Sequence, residues 1–199
     1  MTVEGIDRSG KTTQARLLCE ALGAEAVCVR EPGGTPLGER VRELVKDPSV
    51  ELGALAEALL FAAARAELVA RAIRPALEAG RVVVCDRFLD SSLAYQGVAR
   101  GLGVEEVERI NRLATDGLVP DLTLLLMLEP HAALARAGEQ ADRFEGEGPA
   151  LQERVHAAYE RLAREEPERI RRIAADRPPG AVHAELLAAV EAARAGAPV

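Results

Sequence analysis

Apolar positions along this 199-residue chain form two alternating patterns. Short strand-type runs occur at residues 1–4 (M-T-V-E), 26–30 (A-V-C-V-R), 81–86 (R-V-V-V-C-D) and 121–128 (D-L-T-L-L-L-M-L), the last two the most continuously apolar, with a weaker one at 169–174. Runs of this length that do not alternate predict strands buried on both faces of a parallel sheet. Between them, helical spacing covers 11–22, 37–46, 54–79, 91–100, 104–116, 131–137, 150–164 and 182–195. Asp47-Pro48-Ser49 ends one helix, and Pro75 predicts a kink or restart within the long Ala-rich one. A Pro/Gly loop follows the second strand at Glu31-Pro32-Gly33-Gly34-Thr35. Residues 138–149 are polar, charged and Gly-bearing, which predicts a mobile connection able to serve as a lid.

Strand–helix alternation implies an α/β fold with a parallel sheet, helices on both sides and right-handed crossovers. The length favours one domain over residues 1–199. Ligands of such sheets gather at the carboxyl ends of the strands. Glu31, Asp86 and Glu129 all fall at predicted strand ends, so one cleft is expected to collect them.

The first strand runs into Gly5-Ile6-Asp7-Arg8-Ser9-Gly10-Lys11-Thr12, which fits G-x-x-x-x-G-K-[ST]. The pattern sits between a strand and a helix, the context a phosphate-binding loop needs. Its glycines let backbone N–H groups turn toward phosphate oxygens, and the helix adds its positive end. Lys11 would neutralise β/γ-phosphate charge and the Thr12 hydroxyl would ligate Mg²⁺. Gly5, Asp7, Arg8, Ser9, Gly10, Lys11, Thr12 and Thr13 are therefore the candidate ATP-binding residues. Only Lys11 and Lys46 are lysines among 25 basic residues, so Lys stands where a compact ammonium suits the loop.

The net charge of −7 argues against a polymeric nucleic-acid partner. It leaves room for nucleotide substrates, which a few local arginines can hold. No apolar run reaches the length of a membrane span and no signal peptide precedes the loop, so a cytoplasmic enzyme is expected. Cys19, Cys28 and Cys85 show no C-x-x-C spacing, are odd in number and have apolar neighbours. They read as small buried thiols, against a disulfide or a zinc site.

Asp86-Arg87 closes a hydrophobic strand, where the carboxylate can hold Mg²⁺ or accept a proton and the arginine can clamp a phosphate. Phe61 and Arg65 lie one helical turn apart, a ring to stack on a base and a guanidinium to bond its edge. A core Phe beside a surface Arg is the commoner meaning of that spacing. The chain has only five aromatic rings, Phe61, Phe88, Tyr95, Phe144 and Tyr159, and four lie in segments already singled out. Asp142-Arg143-Phe144-Glu145 places an arginine in the candidate lid.

Taken in order, these segments resemble the thymidylate kinases. The matching pieces are E-G-I-D-R-S-G-K-T-T-Q (4–14), R-E-P-G-G-T-P-L-G-E (30–39), L-F-A-A-A-R (60–65) and C-D-R-F-L-D-S-S-L-A-Y-Q-G (85–97). G-L-V-P-D-L-T (117–123) and D-R-F-E (142–145) match more weakly. The resemblance implies a P-loop three-layer α/β/α fold with a five-stranded parallel sheet in the order 2-3-1-4-5, a lid near 138–149, and a homodimer packed through long helices. It implies the reaction ATP + dTMP → ADP + dTDP with Mg²⁺. Carried over by position, Phe61 would stack on thymine, Arg65 would bond its O4, and Ser92 and Gln96 would read the base edge. Tyr95 would pack against C2′ of the sugar. Asp7 would sit near the 3′-hydroxyl and the dTMP phosphate, Arg87 would grip that phosphate, and Arg42 would line the acceptor pocket. Glu31 and Asp86 would arrange Mg²⁺ and water. Arg136 and Arg143 would be lid residues near ATP, and the 176–180 loop would border the adenine. Arg8, Lys11, Asp86, Arg87 and Arg143 are the implied catalytic set, with Arg8 bridging the two phosphates. Two rivals remain: a kinase for another nucleoside monophosphate, and a P-loop binding module without a small-molecule acceptor. The second is disfavoured by the absence of an N-K-x-D motif, since Asn111 is followed by Arg-Leu-Ala.

Overall fold

The computed structural model describes residues 1–136 and 143–196. Its centre is a five-stranded sheet, β1 (Thr2–Gly5), β2 (Ala26–Arg30), β3 (Val82–Asp86), β4 (Thr123–Met127) and β5 (Ile170–Ala174). The spatial order is β2-β3-β1-β4-β5 and every pairing is parallel, as the resemblance implied. The unbroken apolar runs are the central strands. Val3, Val84 and Leu124 are fully buried because helices cover both faces of the sheet.

β1 is short but is paired on both sides, Val3 with Asp86 of β3 and with Leu124 of β4. Its Glu4 is a fully buried carboxylate. It accepts the Phe88 N–H at 2.7 Å, the Ser91 hydroxyl at 2.6 Å and the Tyr159 hydroxyl at 2.8 Å. These bonds tie the segment after β3 to the central strand. Burial, with nearby Asp90, pushes the Glu4 pKa up to about 7. Asp90 is buried in turn and pairs with Arg169, which also receives support from Glu166.

The helices are α1 (Lys11–Leu22), α2 (Pro36–Lys46), α3 (Ala54–Leu68), α4 (Arg74–Glu78), α5 (Leu89–Ser92) and α6 (Val104–Thr115). α7 (Pro130–Leu134), α8 (Arg143–Gly146), α9 (Pro149–Glu165) and α10 (Pro179–Gly196) complete them. The break expected at Pro75 takes the form of a π-helical turn, Val69–Ile73, which carries α3 into α4. Proline has no N–H to close the i→i−4 ladder, and the turn before it widens. The expected helix at 91–100 is a short α5 continued by π-helical Leu93–Ala99.

Cys19 of α1 and Cys28 of β2 form a disulfide, which corrects the reading of three free thiols. α1 packs along the edge strand and brings the two Cα atoms to 6.2 Å, a proximity that sequence spacing does not reveal. Cys85 alone is a buried free thiol, and burial raises its pKa well above the ordinary value. No helix among the described residues is long and apolar enough to cross a membrane.

Candidate active site

The chain leaves β1 through Gly5 at φ 143°, where a Cβ would lie 2.7 Å from the Leu126 carbonyl oxygen and 2.8 Å from Ser9 Oγ. Only glycine fits there. Gly10, at φ 98°, turns the chain into α1. Between them Arg8 takes φ 62°, a left-handed conformation that costs a non-glycine residue about 1 kcal/mol or more. The Lys11 ammonium lies within the loop, 6% exposed, donating to the Ile6 carbonyl at 2.5 Å and Ser9 Oγ at 3.5 Å. Burial and then the Arg87 charge lower its pKa to about 8, against the pull of Asp7, Asp86 and Glu4. Thr12 donates to Asp86 Oδ2 at 2.6 Å, so the first turn of α1 meets the end of β3. Arg136, just beyond α7, donates to the Ala175 carbonyl at 2.9 Å and to the Arg8 carbonyl at 3.3 Å. That places it beside the loop.

A cleft of about 470 Å³ runs from this loop across the ends of β1, β2 and β3. Arg8, Lys11, Thr12 and Thr13 border one end, and Phe61, Ser92, Tyr95 and Gln96 the other, with Asp7, Arg42, Asp86 and Arg87 also lining it. Glu129 is not in this lining. Its side chain is 68% exposed, with His156 Nε2 4.0 Å away, so Glu31 and Asp86 meet in the cleft beside the loop and Glu129 does not join them. Arg87 is held in the left-handed region at φ 69° and pairs with Asp7. Tyr95 OH and Gln152 Nε2 also donate to Asp7, at 3.0 and 2.9 Å. The burial of Asp7 is outweighed by Arg87 and Lys11, and its carboxyl stays below the ordinary value. The Arg87 guanidinium stands 5.2 Å from the Tyr95 ring centre. One fixed cation thus sits between the phosphate loop and an aromatic wall.

That wall is made of Phe61, Tyr95 and Phe144. Phe144 of α8 packs edge-on against the other two, with centroids 6.0 and 6.1 Å away. Phe88 and Tyr159 are buried elsewhere. Arg65 does not line the cleft. It is 1% exposed, and donates to Glu31 Oε2 at 2.8 Å, Asn111 Oδ1 at 2.5 Å, and the Phe88 carbonyl and Ser92 Oγ at 3.0 Å each. The expected base-edge ligand is here a buried cation that sets Ser92 and Glu31 in the wall. Arg143 likewise differs from its expected place near ATP. Its Nε donates to the Val45 carbonyl at 2.8 Å and its Nη2 to Glu57 at 2.5 Å, on the acceptor side. There it balances the charge of a buried carboxylate. Of the expected lid, residues 138–142 lie outside the described residues.

Thr12 and Asp86 offer a hydroxyl and a carboxylate to the cleft, and Glu31 is a third oxygen donor beside them. Glu31 Oε1 is buried without a hydrogen-bond partner, although Arg65 holds its other oxygen. No group of three or more His, Cys, Asp or Glu side chains among the described residues forms a cage for a metal. A few hard oxygens without a cage suit Mg²⁺, which keeps most of its waters and leans on substrate phosphates.

Four residues of the site were not singled out in the sequence: Glu57, Arg100, Asn111 and Gln152. Glu57 and Gln152 carry helix-compatible polar side chains with no local motif. The single Asn of the chain, Asn111, was the one available signal.

A phosphate loop after the central strand of a 2-3-1-4-5 parallel sheet, facing an aromatic pocket fronted by a fixed arginine, defines a P-loop nucleotide phosphotransferase with a second nucleotide pocket. The family model for thymidylate kinase matches residues 3–186. Thymidylate kinase of Symbiobacterium thermophilum is 51% identical over 182 residues, 89% of this chain and 85% of that protein. The Deinococcus radiodurans thymidylate kinase is 48% identical over 195 residues, 96% of this chain and 95% of that one. The crystal structure of thymidylate kinase from Ehrlichia chaffeensis superposes with a TM-score of 0.79 at 34% identity, covering 96% of each chain. The chain belongs to the thymidylate kinase family.

Proposed function

We propose that the cleft transfers the γ-phosphoryl group of ATP to dTMP, giving ADP and dTDP, and that the chain works as a cytoplasmic homodimer. The observation that carries this reading is the joining of the P-loop and the aromatic pocket in one cleft through Asp7 and Arg87. The acceptor oxygen belongs to a phosphate that is already anionic, so it needs little help from a base. The main task is to hold two polyanions in line and away from water. Lys11 leaves the Ile6 carbonyl for the β/γ-phosphates. Arg87, whose charge is balanced by Asp7 in spite of burial, grips the dTMP phosphate. Arg8 reaches between the two phosphates from the loop. Phe61 stacks on the base, and Ser92 and Gln96 read its edge. Arg42 lines the acceptor end of the cleft. Thr12 and Asp86 would hold Mg²⁺, with Glu31 close by, and the ion supplies charge neutralisation on the transferring oxygens. Asp86 organises phosphate and ion rather than serving as an obligatory base.

Exposed leucines on adjacent helices support the homodimer: Leu55 and Leu59 of α3 and Leu113 of α6, the last 88% exposed. The test of the reaction is ADP formation with Mg-ATP and dTMP, dUMP, UMP, AMP or GMP. Preference for dTMP supports it, and preference for a purine monophosphate refutes it.

A further inference from the structure

Behind the wall of the base pocket lies a buried carboxylate that the transfer reaction does not use. Glu57, in the first turn of α3, is fully buried. Its Oε1 accepts Gln96 Nε2 at 2.7 Å and Arg100 Nε at 3.1 Å. Its Oε2 accepts Arg100 Nη2 at 3.0 Å and Arg143 Nη2 at 2.5 Å. Burial disfavours its charge, but the bonds from Arg100, Gln96 and Arg143 outweigh burial and hold the carboxyl below the ordinary value. Glu57 is therefore ionised, and an ionised carboxylate can only accept hydrogen bonds.

That fact fixes the neighbouring amide. The end of Gln96 that faces Glu57 must be the NH₂ group, because two oxygens would repel each other there. The amide oxygen is then turned away from Glu57. Gln96 borders the cleft, and among the described residues no donor reaches its Oε1. Nor is that atom one of the buried oxygens lacking a partner, so it is open to the cleft. The pocket thus offers the base an acceptor at this point. Thymine and uracil carry N3–H, a donor, whereas cytosine presents a lone pair at N3.

Resting on the dTMP kinase reading, we infer that Glu57 is the positioning residue that turns the Gln96 carbonyl toward the nucleobase, making the pocket select an N3–H base over cytosine. It reads no part of the base itself. It acts through the amide, and its bonds to Arg100 and Arg143 keep it in place.

The test is kcat/KM for dTMP and dCMP with Mg-ATP, measured on the wild type, Glu57→Gln, Gln96→Met and the double variant. A Gln at 57 can rotate and donate, so it no longer dictates which end of Gln96 faces the base. The dTMP-to-dCMP ratio is expected to fall by about tenfold or more in each single variant. It should fall no further in the double variant, because the two residues act as one unit. The loss should lie mainly in the KM for dTMP, since the base is remote from the transferring phosphoryl group. A purely structural role would depress both substrates alike and leave the ratio at its wild-type value, and that result overturns the inference. If thermal melts show Glu57→Gln to be unfolded, the wild type is tested with N3-methyl-dTMP. Rejection of that substrate supports a carbonyl facing N3, and acceptance equal to dTMP overturns it. A wild type that turns over no dTMP defeats the functional reading and this inference together. A selective wild type with an unchanged ratio in Glu57→Gln defeats the Glu57 role alone.

Discussion

Lys11 makes nucleotide binding depend on pH in a direction that can be worked out. In the free loop its pKa is lowered from 10.5 to about 8, by burial first and by Arg87 second. That gap is worth on the order of 3 kcal/mol between charged and neutral forms. Polyphosphate bound at the loop restores the charged form, so the complex holds more protons than the free protein above about pH 8. Affinity for Mg-ATP must then fall as pH rises. With a free-state pKa of about 8, the loss between about pH 7 and about pH 9.5 is roughly thirtyfold. The empty protein moves the other way. Its folded-state pKa is depressed, so it binds fewer protons than the unfolded chain between about 8 and 10.5, and this term adds stability as pH climbs through that window. Calorimetric titration with a non-hydrolysable ATP analogue, repeated in buffers of different ionisation enthalpy, reads both affinity and proton uptake. Uptake approaching one proton per site at about pH 9 is expected. Lys11→Met should bind weakly at every pH with no such slope. Constant affinity across the range with no proton uptake would show that Lys11 is already charged in the empty loop, and the reasoning would be wrong.

Three further outcomes are expected. Phe61→Ala should weaken dTMP by about 1–3 kcal/mol, the range for a base stacked on a ring, and an unchanged dissociation constant in a folded variant would return Phe61 to a packing role. Glu4 has a folded-state pKa raised from 4.5 to about 7, so the native state holds the extra proton in that window and stability falls as pH rises through it, by on the order of 3 kcal/mol. Glu4→Gln should flatten this slope in urea denaturation series at about pH 5 and 7.5, and a slope equal to wild type would contradict the raised pKa. Thiol titration in denaturant without reductant should find Cys85 free and Cys19 and Cys28 blocked, and all three reacting would exclude the disulfide.

The fold was legible because burial imposes its pattern on composition. A strand covered on both faces has to be apolar throughout, and Arg81–Asp86 and Asp121–Leu128 could hardly be anything else. The phosphate loop was legible for a different reason: its geometry forbids a Cβ at Gly5 and demands a left-handed turn at Gly10. Helix irregularity was harder to see. The π-helical stretch Leu93–Ala99 carries Tyr95 and Gln96 into the cleft, yet no residue in it marks a widened turn as distinct from an ordinary one. Widening of a turn depends on what the side chains find on either side of it. The disulfide failed for the same kind of reason, since Cys19 and Cys28 meet only because a helix lies along an edge strand.

The arginines show most clearly where reading by residue type ends. Arg65 was expected to face a ligand because it lies one helical turn from Phe61, and Arg143 because it lies in the polar, Gly-bearing segment that suggested a lid. Both are instead paired with carboxylates remote in sequence, Glu31 at a separation of 34 residues and Glu57 at 86. A guanidinium in a dry wall must find an anion, and if one partner is removed the other is left charged and unsatisfied at a cost of about 3–5 kcal/mol. The carboxylates are therefore as much a part of the base pocket as the arginines, although nothing local marks them. Glu31 lies in a Pro/Gly loop and Glu57 in an Ala-rich helix, and each acquires its meaning from the cation brought to it. Residues that touch substrate leave local motifs because their spacing is set by the ligand. Residues that orient them answer only to the fold, so their partners become visible when the sheet and helices have been assembled.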